Sequence, residues 1–334
     1  MILTFKVKHG KDLSQELVKA KMIAEYVIKN HPLSLNDVKH FGLEMIVAKQ
    51  ILRKYSRNKN IKHVRRIKLT IPSKGINVKK DEREIHIPSL DLTLNYHFRN
   101  DFERIVQIEL DNEFAYISVT IPEKPLIEPS KWIGIDRNST GYIAVVADPT
   151  TGKVYKFGKK AQHIHEKYKN IRRRLQKKRK YKALKKINNR ESRIIRDLNH
   201  KVARAIVNIA KEQNAGIKLE KLEGIRKNKK YGKSLHSWSY FQLGRFIEYK
   251  ARLEGIPVTY VEPRNTSQEC SRCGCIGIRV NKTFKCPYCG HVDHADVNAS
   301  FVIASRQPLM AGVGRLHADR DACKGSLVPP KGQL

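Results

Sequence analysis

Two Cys-x-x-Cys pairs, Cys270/Cys273 and Cys286/Cys289, stand twelve residues apart within QECSRCGCIGIRVNKTFKCPYCGHVDHADVNAS, residues 268–300. Each pair can turn two thiolates toward one ion, and two such turns complete a tetrahedron with no open position. The spacing therefore points to a structural zinc ribbon, with Gly274 and Gly290 following the knuckles; two disulfides or unpaired thiols are the alternatives. Cys275 makes a Cys-x-Cys with Cys273 and could substitute as a ligand, whereas Cys323 lies apart in the C-terminal tail. Four cysteines fill the shell, so His291 and His294 read as surface or nucleic-acid-facing residues. Cysteines used in this way fit a reducing cytosol. Seven residues past Cys289 comes an aspartate, Asp296, in a chain that is otherwise strongly basic.

That basicity is the second constraint. Lys and Arg number 67 against 32 Asp and Glu, a net charge of +35 over 334 residues. Self-repulsion on this scale calls for a polyanion, and nucleic acid is the expected partner. A membrane is not expected, because no apolar run approaches the roughly 20 residues needed to span one, and MILTFKVKHGKDL lacks the pattern of a signal peptide. The charge is concentrated. Residues 159–190 hold 15 Lys or Arg and one acid, Glu166, interleaved with Tyr168 and Tyr181. A second cluster, RKNKKYGKS, spans 226–234. A charge run can be no more than a solvated helix face, but this density and single sign favour phosphate binding. The candidate contacts are Arg172, Arg173, Arg174, Lys177, Lys178 and Arg179 in the first cluster, and Arg226, Lys229 and Lys230 in the second. Such residues grip a backbone without reading its sequence.

With 40% hydrophobic residues, the chain can bury two or three domain cores. Short alternating runs (ILTFKV, RIKLTI, REIHI, LTLNYHF, RIVQIEL, FAYISVTI) predict a small β-barrel or sheet over residues 1–127. Helical spacing over residues 11–56, broken near Pro32, predicts two inserted helices. The segment PEKPLIEPSK, with three prolines in ten residues, reads as a linker and puts a boundary near residue 128. Beyond it, WIGID, GYIAVVA and KVYKF predict an antiparallel meander. A long helical region over 159–213, a strand at AGIKLEKL, a helix over 236–254 and a strand at IPVTYVEP follow. The cysteine module and a short helix from about Asp296 close the unit. Residues 306–334 read as a poorly ordered tail.

Three acids stand out. Asp136 ends the apolar run 132–135, Glu220 sits between Leu219 and Leu222, and Asp296 heads the last helix. Singly, each could be a turn or cap residue. Brought to one end of a sheet, they would repel one another unless divalent metals neutralised them, and two carboxylate-bridged Mg²⁺ ions would suit phosphodiester hydrolysis. No Ser-His-Asp set, P-loop or Gly-x-Gly-x-x-Gly is present.

The segments GIDRNSTGYIAVV, KLEKLEGIRK, SWSYFQLGRFIEYKARLEGIPVTYVEPRNTSQECSRCG and FKCPYCGHVDHADVNASFVIA resemble the TnpB family, transposon-encoded nucleases related to the ancestors of type V CRISPR effectors. The resemblance covers about residues 128–305; the first 125 residues match in architecture alone. It implies an α/β fold: an RNase H-like (RuvC) nuclease domain over 128–305 carrying a zinc ribbon at about 266–292. Before it would stand a wedge β-barrel over 1–127 with a helical recognition insert at about 11–60. It implies catalytic, Mg²⁺-binding roles for Asp136, Glu220 and Asp296, with two Mg²⁺ or Mn²⁺ ions, and a structural Zn²⁺ on Cys270, Cys273, Cys286 and Cys289. It also implies a guide RNA from the end of the element and cleavage of double-stranded target DNA beside a short flanking motif. Asn265 and Ser300 depart from residues common in the family, but neither touches the acids. A guide-dependent DNA-binding regulator and an unguided RuvC or RNase H-like nuclease are the competing expectations.

Overall fold

The computed structural model describes residues 1–31, 34–56, 61–98, 100–138, 141–222 and 235–309. The cluster holding Arg226, Lys229 and Lys230, Cys323 and the expected tail beyond residue 309 lie outside the described residues. The chain divides into two compact units, Met1–Glu123 and Lys124–Leu334.

In the first unit, β1 (Ile2–Lys8) is followed by α1 (Ser14–Asn30), a 3-10 turn (Asn36–Phe41) and α2 (Met45–Ser56). Then come β2 (Leu69–Pro72), β3 (Asn77–Lys79), β4 (Glu84–Ile87), β5 (Leu92–Asn95), β6 (Arg104–Leu110) and β7 (Phe114–Thr120). They form an antiparallel sheet ordered β1-β7-β6-β2 and a smaller one ordered β3-β4-β5. The second helix starts later than its apolar spacing predicts. Gly42, at φ +63°, ends the 3-10 turn in the left-handed region and leaves Phe41 outside α2. The three residues of β3 are too short for alternation to reveal. The β6–β7 hairpin is fastened by Asp111, whose Oδ1 accepts from the N–H groups of Glu113 at 3.0 Å and Phe114 at 2.7 Å.

The second unit opens with β8 (Lys131–Arg137), β9 (Ala144–Ala147) and β10 (Val154–Phe157), the antiparallel meander expected from three consecutive short strands. The basic stretch is three helices rather than one region: α3 (Lys160–Lys177), α4 (Tyr181–Ile187) and α5 (Arg190–Glu212). The first break falls where Arg179 takes φ +50°. Next come β11 (Ala215–Glu220), α6 (Leu235–Leu253), β12 (Val258–Val261), the ribbon strands β13 (Ile278–Val280), β14 (Thr283–Lys285) and β15 (Val292–His294), and α7 (Ala295–Ser305). The main sheet runs β10-β9-β8-β11-β12, with β11 parallel to both β8 and β12. Arg306–Leu309 do not begin a loose tail: Arg306 Nη1 donates to the Glu262 carbonyl at 2.5 Å, and Leu309 N–H donates to the Tyr260 carbonyl at 2.7 Å. Among the described residues, no helix is long and apolar enough to cross a membrane.

Strand periodicity assigns the two faces of this sheet. Ile133, Ile135, Ile217 and Leu219 enter one core with Val202, Ala203 and Ile206 of α5 and Leu243 and Ile247 of α6. The intervening residues serve α7. Lys218 Nζ donates to the carbonyls of Ala304 at 2.7 Å and Arg306 at 2.6 Å, a cation at the helix C-terminus. Gly134 lets α7 approach the strand closely: a Cβ there would lie 2.2 Å from the Ser300 carbonyl oxygen and 2.3 Å from Ala304 N. Gly134→Ala is therefore expected to lower stability by about 3 kcal/mol, because rigid backbone would have to shift. Chemical denaturation of the variant checks this, and an unchanged midpoint would contradict the packing described.

Candidate functional site

The pairing of Leu219 with Ile135 across parallel β11 and β8 brings the next residues, Glu220 and Asp136, side by side at the C-terminal ends of the strands, where ligands of α/β sheets usually sit. Because α7 crosses β8 at Gly134 through Ser300 and Ala304, its first turn reaches the same end of the sheet and delivers Asp296. Asp136 and Glu220 are each 8% exposed and Asp296 is fully buried.

Each carboxylate is held differently. Asn138 Nδ2 donates to Asp136 Oδ2 at 2.8 Å. Burial, then the charges of Glu220 and Asp296, push the Asp136 carboxyl up to about 7. Burial also raises Glu220, against a hydrogen bond from the Thr266 hydroxyl to its Oε1, while Arg137 Nη2 donates to the Glu220 carbonyl at 2.6 Å. Asp296 takes two cations from the ribbon: Arg279 Nη2 at 3.1 Å from Oδ1 and Lys282 Nζ at 2.7 Å from Oδ2. It is not a helix cap. His294 holds that position, its Nδ1 accepting from Asp296 N–H at 3.3 Å. The three acids offer the hard oxygen donors that Mg²⁺ takes. Burial and the charges of Glu220 and Asp296 raise Asp136, and a divalent cation would offset both, so the donor chemistry of the set suits such ions.

The four ribbon sulfurs lie within 4.8 Å of one another, with Cys270–Cys289 at 3.6 Å and Cys273–Cys286 at 3.5 Å. A tetrahedral zinc with bonds of about 2.3 Å separates its sulfurs by about 3.8 Å, so the cluster fits one zinc. Disulfides, with sulfurs about 2.05 Å apart, are set aside. Cys275 stands outside the cluster. Burial pushes the Cys270 thiol up to about 12 and Cys273 up to about 11. At Cys286 burial acts the same way, but the N–H groups of Cys289 and Tyr288 outweigh it and bring the thiol to about 7. A metal must displace the remaining protons. His291 packs against the buried Phe284 ring, with centroids 6.3 Å apart, and its side chain is only 9% exposed.

The ribbon is locked to α7 by Asn298, which is fully buried. Its Oδ1 accepts from Ser271 N–H at 2.9 Å and its Nδ2 donates to the Glu269 carbonyl at 2.7 Å. Ala295 N–H adds a bond to the Lys282 carbonyl at 2.8 Å. Sequence reasoning assigned no role to Asn298, Thr266, Arg137, Arg279 or Lys282. All five lie within the quoted segments, which was the one signal available for them.

Of the expected phosphate contacts, Arg173, Arg174, Lys177, Lys178 and Arg179 are exposed. Arg172 differs, since it pairs with the buried Glu191 of α5, to which His165 Nδ1 also bonds at 2.8 Å. Tyr168 is buried and anchors α3, whereas Tyr181 is 65% exposed.

The Cas12f1-like TNB domain family matches residues 240–303. The chain is 41% identical over 110 residues to the CRISPR-associated endodeoxyribonuclease Cas12f1 of Sulfoacidibacillus thermotolerans, covering 32% of this chain and 26% of that one. Its fold is similar to that of the protein in the Cas12f1-sgRNA-target DNA complex, with a TM-score of 0.60 and 17% identity over 87% of this chain and 81% of that one. Over 203 residues it is 32% identical to the TnpB-like protein MJ0751 of Methanocaldococcus jannaschii, which takes in 55% of this chain and 73% of that protein. With nearly three quarters of that relative matched, and the ribbon and strand-end acids in the same chain, this protein belongs to the TnpB family.

Proposed function

We propose that this chain is an RNA-guided DNA endonuclease of a transposable element. Its second unit would be an RNase H-like (RuvC) nuclease domain over 128–305 with the zinc ribbon inserted at about 266–292. The first, over 1–127, would be a wedge barrel with a recognition insert at about 11–60. The observation that carries the reading is the convergence of Asp136, Glu220 and Asp296, whose charges act on one another at the strand ends. The names of relatives support it: matching Cas12f proteins are called endodeoxyribonucleases, and the complex with a similar fold contains a single-guide RNA and target DNA.

In this reading Asp136, Glu220 and Asp296 would hold two Mg²⁺ or Mn²⁺ ions, which would stabilise the attacking and leaving oxygens of phosphodiester hydrolysis. Asn138 and Thr266 fix the orientation of the first two carboxylates. The ribbon fixes the helix that carries the third. Arg173, Arg174, Lys177, Lys178 and Arg179, together with Arg226, Lys229 and Lys230, would neutralise nucleic-acid backbone, and pairing with the guide would supply the sequence specificity that such contacts lack.

The test begins with the protein expressed together with its flanking DNA. A discrete RNA mapping to the 3′ end of the gene is expected to copurify. With that RNA, Asp136→Ala is expected to lower target cleavage by about a thousandfold or more while leaving RNA and target binding in place. Undiminished cleavage would overturn the assigned acids. Heterogeneous host RNA in the preparation would favour the unguided nuclease, and guided binding without cleavage by the wild-type chain would favour the regulator.

A further inference from the structure

Asp296 is the most enclosed of the three acids, and it is also the one already neutralised. Both of its oxygens are engaged, one by Arg279 and the other by Lys282. The two cations come from a single hairpin. Arg279 lies in β13, and Lys282 follows Asn281, which turns the chain at φ +53° before β14. The hairpin backbone is fixed by the bond from Ala295 N–H to the Lys282 carbonyl and by the cysteine cluster behind it. The side chains are less enclosed than the carboxylate they hold: Arg279 is 27% exposed and Lys282 39%, against 1% for Asp296. Each cation therefore reaches solvent at one side and a buried anion at the other.

We propose that Arg279 and Lys282 form a counter-ion latch on Asp296: they occupy the carboxylate in the nucleic-acid-free protein, compete with divalent metal for it, and transfer to the phosphates of the bound strand when metal takes their place. This rests on the reading of Asp136, Glu220 and Asp296 as metal ligands. The physical argument is charge balance. A buried carboxylate is stable with two cationic partners. A dication arriving on the same oxygens would stand beside two monocations and meet their repulsion. The repulsion is removed if the guanidinium and ammonium groups move to an anion. The long side chains on a fixed hairpin allow that movement, and a phosphodiester is an anion that a planar guanidinium binds well. Metal binding and strand binding are then coupled, each strengthening the other by the same factor. Free protein would hold its metals weakly and acquire them on its substrate.

The experiment is a Mn²⁺ titration of the full, zinc-loaded chain without nucleic acid, followed by electron paramagnetic resonance of the free ion. The doubly substituted Arg279→Gln, Lys282→Gln protein is expected to bind Mn²⁺ about tenfold or more tightly than wild type, and Asp136→Ala in that background is expected to remove the gain. Equal, Asp136-dependent affinity in wild type and double variant would overturn the latch while leaving the metal site intact. An absence of Asp136-dependent binding in both would overturn the metal reading and the latch with it. If the double variant loses its zinc, Lys282→Gln alone is measured in the same way, with a smaller gain expected and no gain counting against the latch.

Discussion

Cys286→Ser is expected to remove the bound zinc and unfold the ribbon while leaving the first unit folded. The ribbon has almost no core of its own: its buried cluster is Cys270, Phe284, Cys286 and Ala295, and Ile278, Val280 and Val292 of its small sheet are more than half exposed. Hydrophobic burial on this scale does not hold a three-stranded sheet together. A structural zinc, by contrast, contributes about 10–16 kcal/mol in isolated fingers. The loss would reach the carboxylate cluster, because Arg279, Lys282 and the backbone partners of Asn298 all belong to the ribbon. Metal analysis is expected to fall from one zinc per chain to none, and limited proteolysis to cut first within 266–294. Cys275→Ser is the matched control and is expected to keep its zinc, since Cys275 stands outside the cluster. Zinc retained in Cys286→Ser and lost in Cys275→Ser would reverse the ligand assignment.

The second large effect is electrostatic. A carboxyl that titrates at about 7 in the folded protein and at 3.8 as an ordinary aspartate binds its proton more tightly when folded. Asp136 therefore favours folding most below the lower value. Its contribution declines as pH rises between the two and is least favourable above the higher. The difference corresponds to about 4 kcal/mol at its limit. In magnesium-free buffer, Asp136→Asn, which preserves size and removes the charge, is expected to raise the melting temperature clearly at pH 8 and hardly at pH 4. Added Mg²⁺ is expected to narrow the gap at pH 8 by stabilising the wild type. A gap of equal size at both pH values would mean that Asp136 is not the strained acid described here.

How much of this was legible in the sequence depended on whether a residue's role is set locally or by tertiary closure. The cysteine cluster was legible because a knuckle is a local turn. Asp136 and Glu220 were legible because an apolar run that ends in a carboxylate places it at a strand end whatever the sheet does next. The antiparallel meander followed from three consecutive short strands joined by close turns. The break between α3 and α4 did not, since the stretch is rich in good helix formers and contains neither Gly nor Pro; the left-handed residue is an arginine, Arg179. In sequence Arg172 is indistinguishable from Arg173 and Arg174, because its pairing with Glu191 of another helix is set by tertiary closure. Arg279 and Lys282 were hidden by abundance: among 67 lysines and arginines, nothing in composition separates two that touch a buried acid. Asn298 and Thr266 act through hydrogen bonds to residues 27 and 46 positions away, and no periodicity records such pairings.

The Asn298 amide has a consequence for how these molecules can be rebuilt. Its donor and acceptor are both used on backbone flanking Cys270, so the ribbon and the first turns of α7 are one unit of inheritance. Exchanging ribbons between relatives at the cysteines alone would strand a buried amide beneath whatever loop replaced them, at a cost of about 1–3 kcal/mol for each unmatched group. A chimera cut to include residues 266 through 300 carries the lock with it. Recombination that respects that boundary can vary the exposed hairpin, and with it the surface shown to a strand, without disturbing the carboxylate two residues before the lock.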